Sequence, residues 1–122
     1  VDLGLPSGTK WKSQSESSSY TFAYALRYYD GFLPTSGQFD ELIENCTWKW
    51  TGKGYKVIGR NGNSIYLSAD FKRGDDYMGA FWSKTKDGED GCYGLLCFPS
   101  RVKVDHTRSL DTERNVILCI MK

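Results

Sequence analysis

Over residues 20–29 the apolar side chains Phe22, Ala23, Ala25, Leu26 and Tyr29 recur at steps of three and four, which predicts a short helix closed by Gly31. A clearer helical pattern follows. Thr35 stands three residues before Gln38 in the spacing of a capping box, and Phe39, Leu42, Ile43 and Cys46 then fall on one face, with Asp40, Glu41 and Glu44 on the other. From Trp48 the period drops to two, the spacing of strands, and Arg60-Asn61-Gly62-Asn63 reads as a hairpin turn. A two-residue Asn61-Gly62 turn predicts Ile58 opposite Ile65 and Val57 opposite Tyr66. Further strands are expected over 80–83, 93–98 and 115–121; the last, NVILCIM, is apolar on both alternating faces, as a central strand requires.

Polar runs fill the intervals. The opening VDLGLPSGTKW reads as two extended stretches around a Pro6-Ser7-Gly8 turn, and 13–19 (SQSESSS) as a loop. Loops are also expected over 70–79 and 84–91, and 100–114 is polar without a clear period. Helices early and strands late predict an α+β fold, two helices packed on an antiparallel sheet with the C-terminal strand central. At 122 residues the chain is one domain, 1–122.

Sixteen basic and fifteen acidic residues give a formal charge of +1, so no whole-protein field draws the chain to nucleic acid. No apolar run reaches the length of a membrane span, and the start at Val1 reads as a trimmed mature fragment without its signal segment. Cys46, Cys92, Cys97 and Cys119 are expected as buried free thiols, with a Cys46–Cys119 bridge as the competing arrangement.

Three segments, VDLGLPSGTKW, then LPTSGQFDELIENCTWKW over 33–50, then YKVIGRNGNSIYL over 55–67 with FWSKT at Phe81, resemble the Fibrobacter succinogenes major paralogous domain. The resemblance covers about two-thirds of the chain and preserves segment order. It implies a C-type-lectin-like fold and a place on the surface of, or secreted from, cells of Bacteroidetes and their relatives. It brings no shared catalytic residues.

The wider lectin class holds calcium through Glu-Pro-Asn or Gln-Pro-Asp tripeptides, whereas Pro6, Pro34 and Pro99 stand in Leu-Pro-Ser, Leu-Pro-Thr and Phe-Pro-Ser, so any binding is expected to be calcium-independent. Asp75-Asp76 and the Asp87, Glu89, Asp90 group lack calcium-loop spacing and read as solvated acidic loops, and Arg73-Gly74-Asp75 reads as an ordinary turn. Cys92 and Cys97 share the spacing of the cysteine pair in formylglycine-generating enzymes, but an offset of five in a regular strand points them to opposite faces. His106, the only histidine, reads as a solvated side chain. The alternation of Lys49, Lys53, Lys56 and Arg60 with Trp48, Trp50 and Tyr55 reads as the wet and packed faces of a ribbon.

The expectation is therefore a non-catalytic binding or interaction module without cofactor or metal, meeting an unknown protein or glycan ligand at the cell surface. Its predicted ligand-binding residues are Trp82, Asp87, Asp90, Tyr93, Arg101, His106 and Arg108, polar and aromatic groups clustered between two core strands. The competing readings are a copper-dependent cysteine oxidase of the formylglycine-generating type, using Cys92 and Cys97, and a structural spacer domain.

Overall fold

The capping box forms as its spacing predicts: Thr35 Oγ1 accepts from the Gln38 amide at 3.1 Å, and Gln38 Oε1 accepts from the Thr35 amide at 2.7 Å. The helix it starts, α2 (Ser36–Asn45), buries Phe39 and Leu42 completely and sets Ile43 and Cys46 at the margin of the same apolar cluster. Helix α1 (Phe22–Tyr28) is shorter than the stretch expected over 20–29. Beyond it Gly31 takes φ +86°, a conformation glycine reaches without a Cβ clash.

The computed structural model describes residues 1–120, the side chain of Arg73 excepted. Its strands are β1 (Lys10–Trp11), β2 (Thr47–Trp50), β3 (Gly54–Ile58), β4 (Ser64–Ser68), β5 (Phe71–Arg73), β6 (Asp76–Asp87), β7 (Gly91–Phe98), β8 (Arg101–Thr107) and β9 (Cys119–Ile120). They form three antiparallel sheets, β1-β9, β2-β3-β4 and β5-β6-β7-β8. The class is α+β.

Strand alternation divides the interior in two. Phe81 of β6 with Leu95 and Cys97 of β7 faces α2, the inner residues Tyr55, Val57, Ile65 and Leu67 of the three-stranded sheet, and Trp11. The next residue, Trp82, points to the other face, where it meets Cys92, Val116 and the buried side of α1 through Phe22, Ala25 and Tyr29. The four-stranded sheet is thus covered on both faces, with α1 and α2 on opposite sides. All four cysteines are free: Cys92, Cys97 and Cys119 are buried and Cys46 is half-buried.

Several expected elements are corrected. The β3–β4 hairpin pairs Val57 with Ile65 and Ile58 with Ser64, one residue off the expected register. Gly59 and Asn63 close the loop through a 2.8 Å bond, leaving three residues, Arg60, Asn61 and Gly62, at its tip. Only Gly62 has positive φ, +88°, whereas a two-residue type I′ turn requires it at Asn61 as well. The odd loop places Val57 and Ile65 together in the core, which the even one would have separated.

The loops expected over 70–79 and 84–91 are mostly strand. Gly74, φ +65°, turns β5 into β6 with Asp75, so the Arg73-Gly74-Asp75 tripeptide lies at a hairpin tip, and only Gly88, Glu89 and Asp90 separate β6 from β7. The aperiodic 100–114 holds β8, whose Val102 and Val104 lie against the α2-side cluster.

The expected strand over 115–121 is not a central one among the described residues, which end before Met121: there β9 pairs with β1 alone. Burial is as its apolar faces require, with Val116 and Ile117 fully enclosed. Its backbone groups, however, are met piecemeal. Asn115 bonds to Ala80 and Trp82 of β6, the carbonyls of Val116 and Leu118 accept from Glu16 and Lys12, and the Cys119 amide donates to the Phe32 carbonyl. The polar run 13–19 supplies part of this lining and also bonds along the edge of β4, through Ser13 and Ser15 to Tyr66.

Candidate functional site

The residues predicted to bind ligand do not share one surface. Trp82 is fully buried, its Nε1 donating to the Tyr20 carbonyl at 2.6 Å, its ring between Phe22 and the Arg114 guanidinium, whose carbon is 4.9 Å from the ring centroid. It belongs to the core, as the apolar neighbours Ala80 and Phe81 could have indicated. Arg101 opens β8 and lies over Phe98, 5.4 Å from that ring's centroid. His106 is five positions further on, so the two are about 17 Å apart along the strand and on opposite faces.

Asp87, Tyr93 and His106 do come together. Tyr93 and His106 are cross-strand partners with ring centroids 6.2 Å apart, and His106 Nδ1 lies 3.3 Å from Asp87 Oδ2. Asp90 is in the adjoining β6–β7 turn and Arg108 follows β8, both exposed. The His106 side chain is 73% exposed, and a polar contact so open to water contributes little energy or geometry. Among the described residues no group of three or more His, Cys, Asp or Glu is placed to hold a metal ion.

A better-formed array lies on α1. Tyr20, just ahead of the N-cap Thr21, and Tyr24 and Tyr28 of α1 recur every fourth residue and stack: Tyr20–Tyr24 centroids are 5.2 Å apart with planes 1° from parallel, and Tyr24–Tyr28 centroids 5.5 Å apart at 12°. Parallel rings so close must overlap with an offset, like the treads of a stair. Tyr24 is 49% and Tyr28 66% exposed.

The stair is anchored from beneath. Tyr29 is buried, sets its edge against both Tyr20 and Tyr28, and donates its hydroxyl to the Tyr20 hydroxyl at 2.9 Å. Burial, then the Tyr20 contact, pushes the Tyr29 hydroxyl's pKa far up, so it stays protonated as donor. Tyr20 is paired backbone to backbone with Arg114, and Arg114 donates two 3.0 Å bonds to the Asp105 carboxylate. Gly94 makes that pairing possible, because a Cβ there would strike Arg114 Nη1 and the Phe81 carbonyl.

Two concavities share Tyr24. One of about 380 Å³ is lined by Tyr24, Arg27 and Tyr28; the other, of about 270 Å³, adds Ser19, Tyr20, Thr21 and Glu113. Arg27 is exposed and makes no ion pair among the described residues. At the far end Glu113 accepts from Ser19 Oγ at 2.6 Å. The signal for this array was present in the sequence, in the spacing of four between tyrosines 20, 24 and 28, but the apolar positions assigned to the core drew the helix's other side.

Two other hollows lie away from the stair. A groove of about 310 Å³ between Trp11, Phe32, Leu118 and Ile120 is mostly carbon-lined, with Lys10 and Lys12 also in its wall and the buried Trp11 Nε1 without a hydrogen-bond partner among the described residues. A polar hollow of about 370 Å³ near Lys84 has its main groups engaged internally: Glu41 accepts from the Ser7 amide at 3.0 Å and from Ser7 Oγ at 2.6 Å.

The thiols are separated by the sheet. Cys92 lies in the α1-side cluster and Cys97 in the α2-side cluster. Burial pushes Cys92 up to about 11, and raises Cys97 further. Comparison of the chain with family models, with curated proteins and with solved structures finds no match to any of them.

Proposed function

We propose that the chain is a non-catalytic binding module of a surface-displayed or secreted bacterial protein, and that it meets its ligand through the tyrosine stair of α1. The observation that carries the reading is the parallel, half-exposed Tyr24 and Tyr28 on a helix locked to the core through Tyr20, Tyr29, Trp82 and Arg114. Rigid tyrosines offer contact area at small entropic cost, and ordered aromatic surface left in water gains when a partner covers it. The three-segment resemblance supports display on a bacterial surface. Cys92 and Cys97 serve different apolar clusters, so the reading draws on no thiol chemistry. A spacer has no use for an oriented ring stack.

The test compares the chain, a Y24A/Y28A variant and a D87N/H106Q variant against purified bacterial surface polysaccharides and surface proteins. Binding at least about tenfold weaker in the tyrosine variant and unchanged in the other is the expected result. Equal binding by all three chains refutes the assignment.

A further inference from the structure

Resting on the reading of the stair as the contact surface, we infer that its ligand is an acidic polysaccharide, a polymer of uronic-acid units whose pyranose rings lie on the tyrosine treads and whose carboxylate is held by Arg27.

Three observations converge on this chemistry. Tyr20, Tyr24 and Tyr28 repeat with near-parallel rings at steps of 5.2 and 5.5 Å, and two concavities share Tyr24. A repeated surface fits a repeated ligand. The face of a pyranose is a flat array of C–H bonds, which packs on the electron-rich face of a phenol ring while the sugar hydroxyls remain at the edge. At that edge the phenols supply matching polar groups. The Tyr20 hydroxyl accepts from Tyr29, so its own proton is free to be donated outward.

Arg27 fixes the charge. It lines the concavity with Tyr24 and Tyr28, exposed and without an ion pair among the described residues, and its planar guanidinium fork matches a carboxylate through two parallel bonds. Glu113 closes the other end; one oxygen takes Ser19 Oγ, leaving the carboxylate to accept sugar hydroxyls and to repel a second anion. One cation at one end and one anion at the other orient a chain of alternating acid and hydroxyl groups. A nucleic-acid strand places a phosphate beside every base and calls for several cations along the stack, which neither this face nor the net charge of +1 provides.

The test titrates the 122-residue chain with polygalacturonate, with amylose as neutral polymer and with oligothymidylate, by calorimetry and affinity electrophoresis. Polygalacturonate is expected to bind, to weaken as salt is raised, and to weaken about tenfold or more in R27Q, while Y24A/Y28A abolishes binding with an unchanged circular dichroism spectrum. Arg27 is exposed, so R27Q leaves the fold intact. Binding of amylose as tightly as polygalacturonate, indifferent to R27Q, overturns the acidic ligand but leaves the stair as contact surface. So does tighter binding of oligothymidylate, or a ligand from the surface-protein panel lost in Y24A/Y28A while no polysaccharide binds. If no ligand bound by the chain responds to Y24A/Y28A, both readings fall.

Discussion

Removing either partner of the Arg114–Asp105 pair tests how the platform under the stair is held. The two side chains are 10% and 15% exposed and meet through two bonds of 3.0 Å, with the guanidinium also over the Trp82 ring at 4.9 Å. Asp105→Ala leaves that guanidinium enclosed without a counter-charge, which in buried pairs costs about 3–5 kcal/mol. Water reaching the rim of the pair favours the lower end, about 3 kcal/mol, or a melting temperature lower by about 10 °C in a domain of this size. Arg114→Met removes the cation, the stacking on Trp82 and both bonds, and strands the carboxylate, for a loss of similar size. The double variant strands neither charge. Its loss is expected to fall short of the sum of the singles by about 2 kcal/mol or more, read by urea unfolding of all four chains. The Lys12–Glu16 pair, 51% and 21% exposed, is the control, and Lys12→Ala should move stability by less than about 0.5 kcal/mol. Single losses under about 1 kcal/mol, or strict additivity, would refute the reasoning.

Gly62→Ala should cost about 1–2 kcal/mol, because φ is +88° and the added methyl meets nothing; Gly94→Ala should cost more, since its Cβ strikes Arg114 and the β6 backbone, and unfolding midpoints will rank the two. Burial raises the Cys92 and Cys119 thiols from 9 to about 11, so the unfolded chain loses these protons before the folded one does. Their contribution is complete below pH 9 and declines toward pH 11, by on the order of 2 kcal/mol for each thiol; urea midpoints at intervals across that window should fall less steeply in Cys92→Ala than in the parent chain. A bulky thiol reagent applied to the folded chain at pH 8 should label Cys46, the one half-buried cysteine, ahead of the other three, as peptide mapping will show.

What could be read from the sequence was whatever is decided locally. Thr35 and Gln38 settle the start of α2 between themselves, and Phe39 and Leu42 its inner face. The opposite orientation of Cys92 and Cys97 follows from parity alone. Where the outcome depends on distant partners, local pattern misled. Asn61-Gly62 suits a two-residue turn, but burial of Val57 against Ile65 selects three. The β8 stretch reads as polar because the side of the strand opposite Val102 and Val104 carries Arg101, Lys103 and Asp105, the last held by Arg114 from beyond the strand. Trp82 and Arg101 were grouped with His106 for their chemistry, although strand direction and parity place the three in different surroundings. The tyrosine stair was legible in its i, i+4 spacing; its exposure was not, since only the packing of Phe22, Ala25 and Tyr29 shows which side of α1 turns outward.

The pairing of Lys10 with Ile120 and of Trp11 with Cys119 also sets how the molecule bears tension. Val1 and Asp2 run antiparallel along the other side of the same β1 residues, so tension that enters at Val1 reaches the ladder beside Trp11 and leaves it at Ile120, beside Lys10, loading its bonds together in shear. The ladder holds two residue pairs, and when it slips the bond from the Cys119 amide to the Phe32 carbonyl, just beyond α1, goes with it. Stretching would therefore work its way from this short ladder toward the helix that carries Tyr24 and Tyr28, while the four-stranded sheet, paired across its full width, yields last.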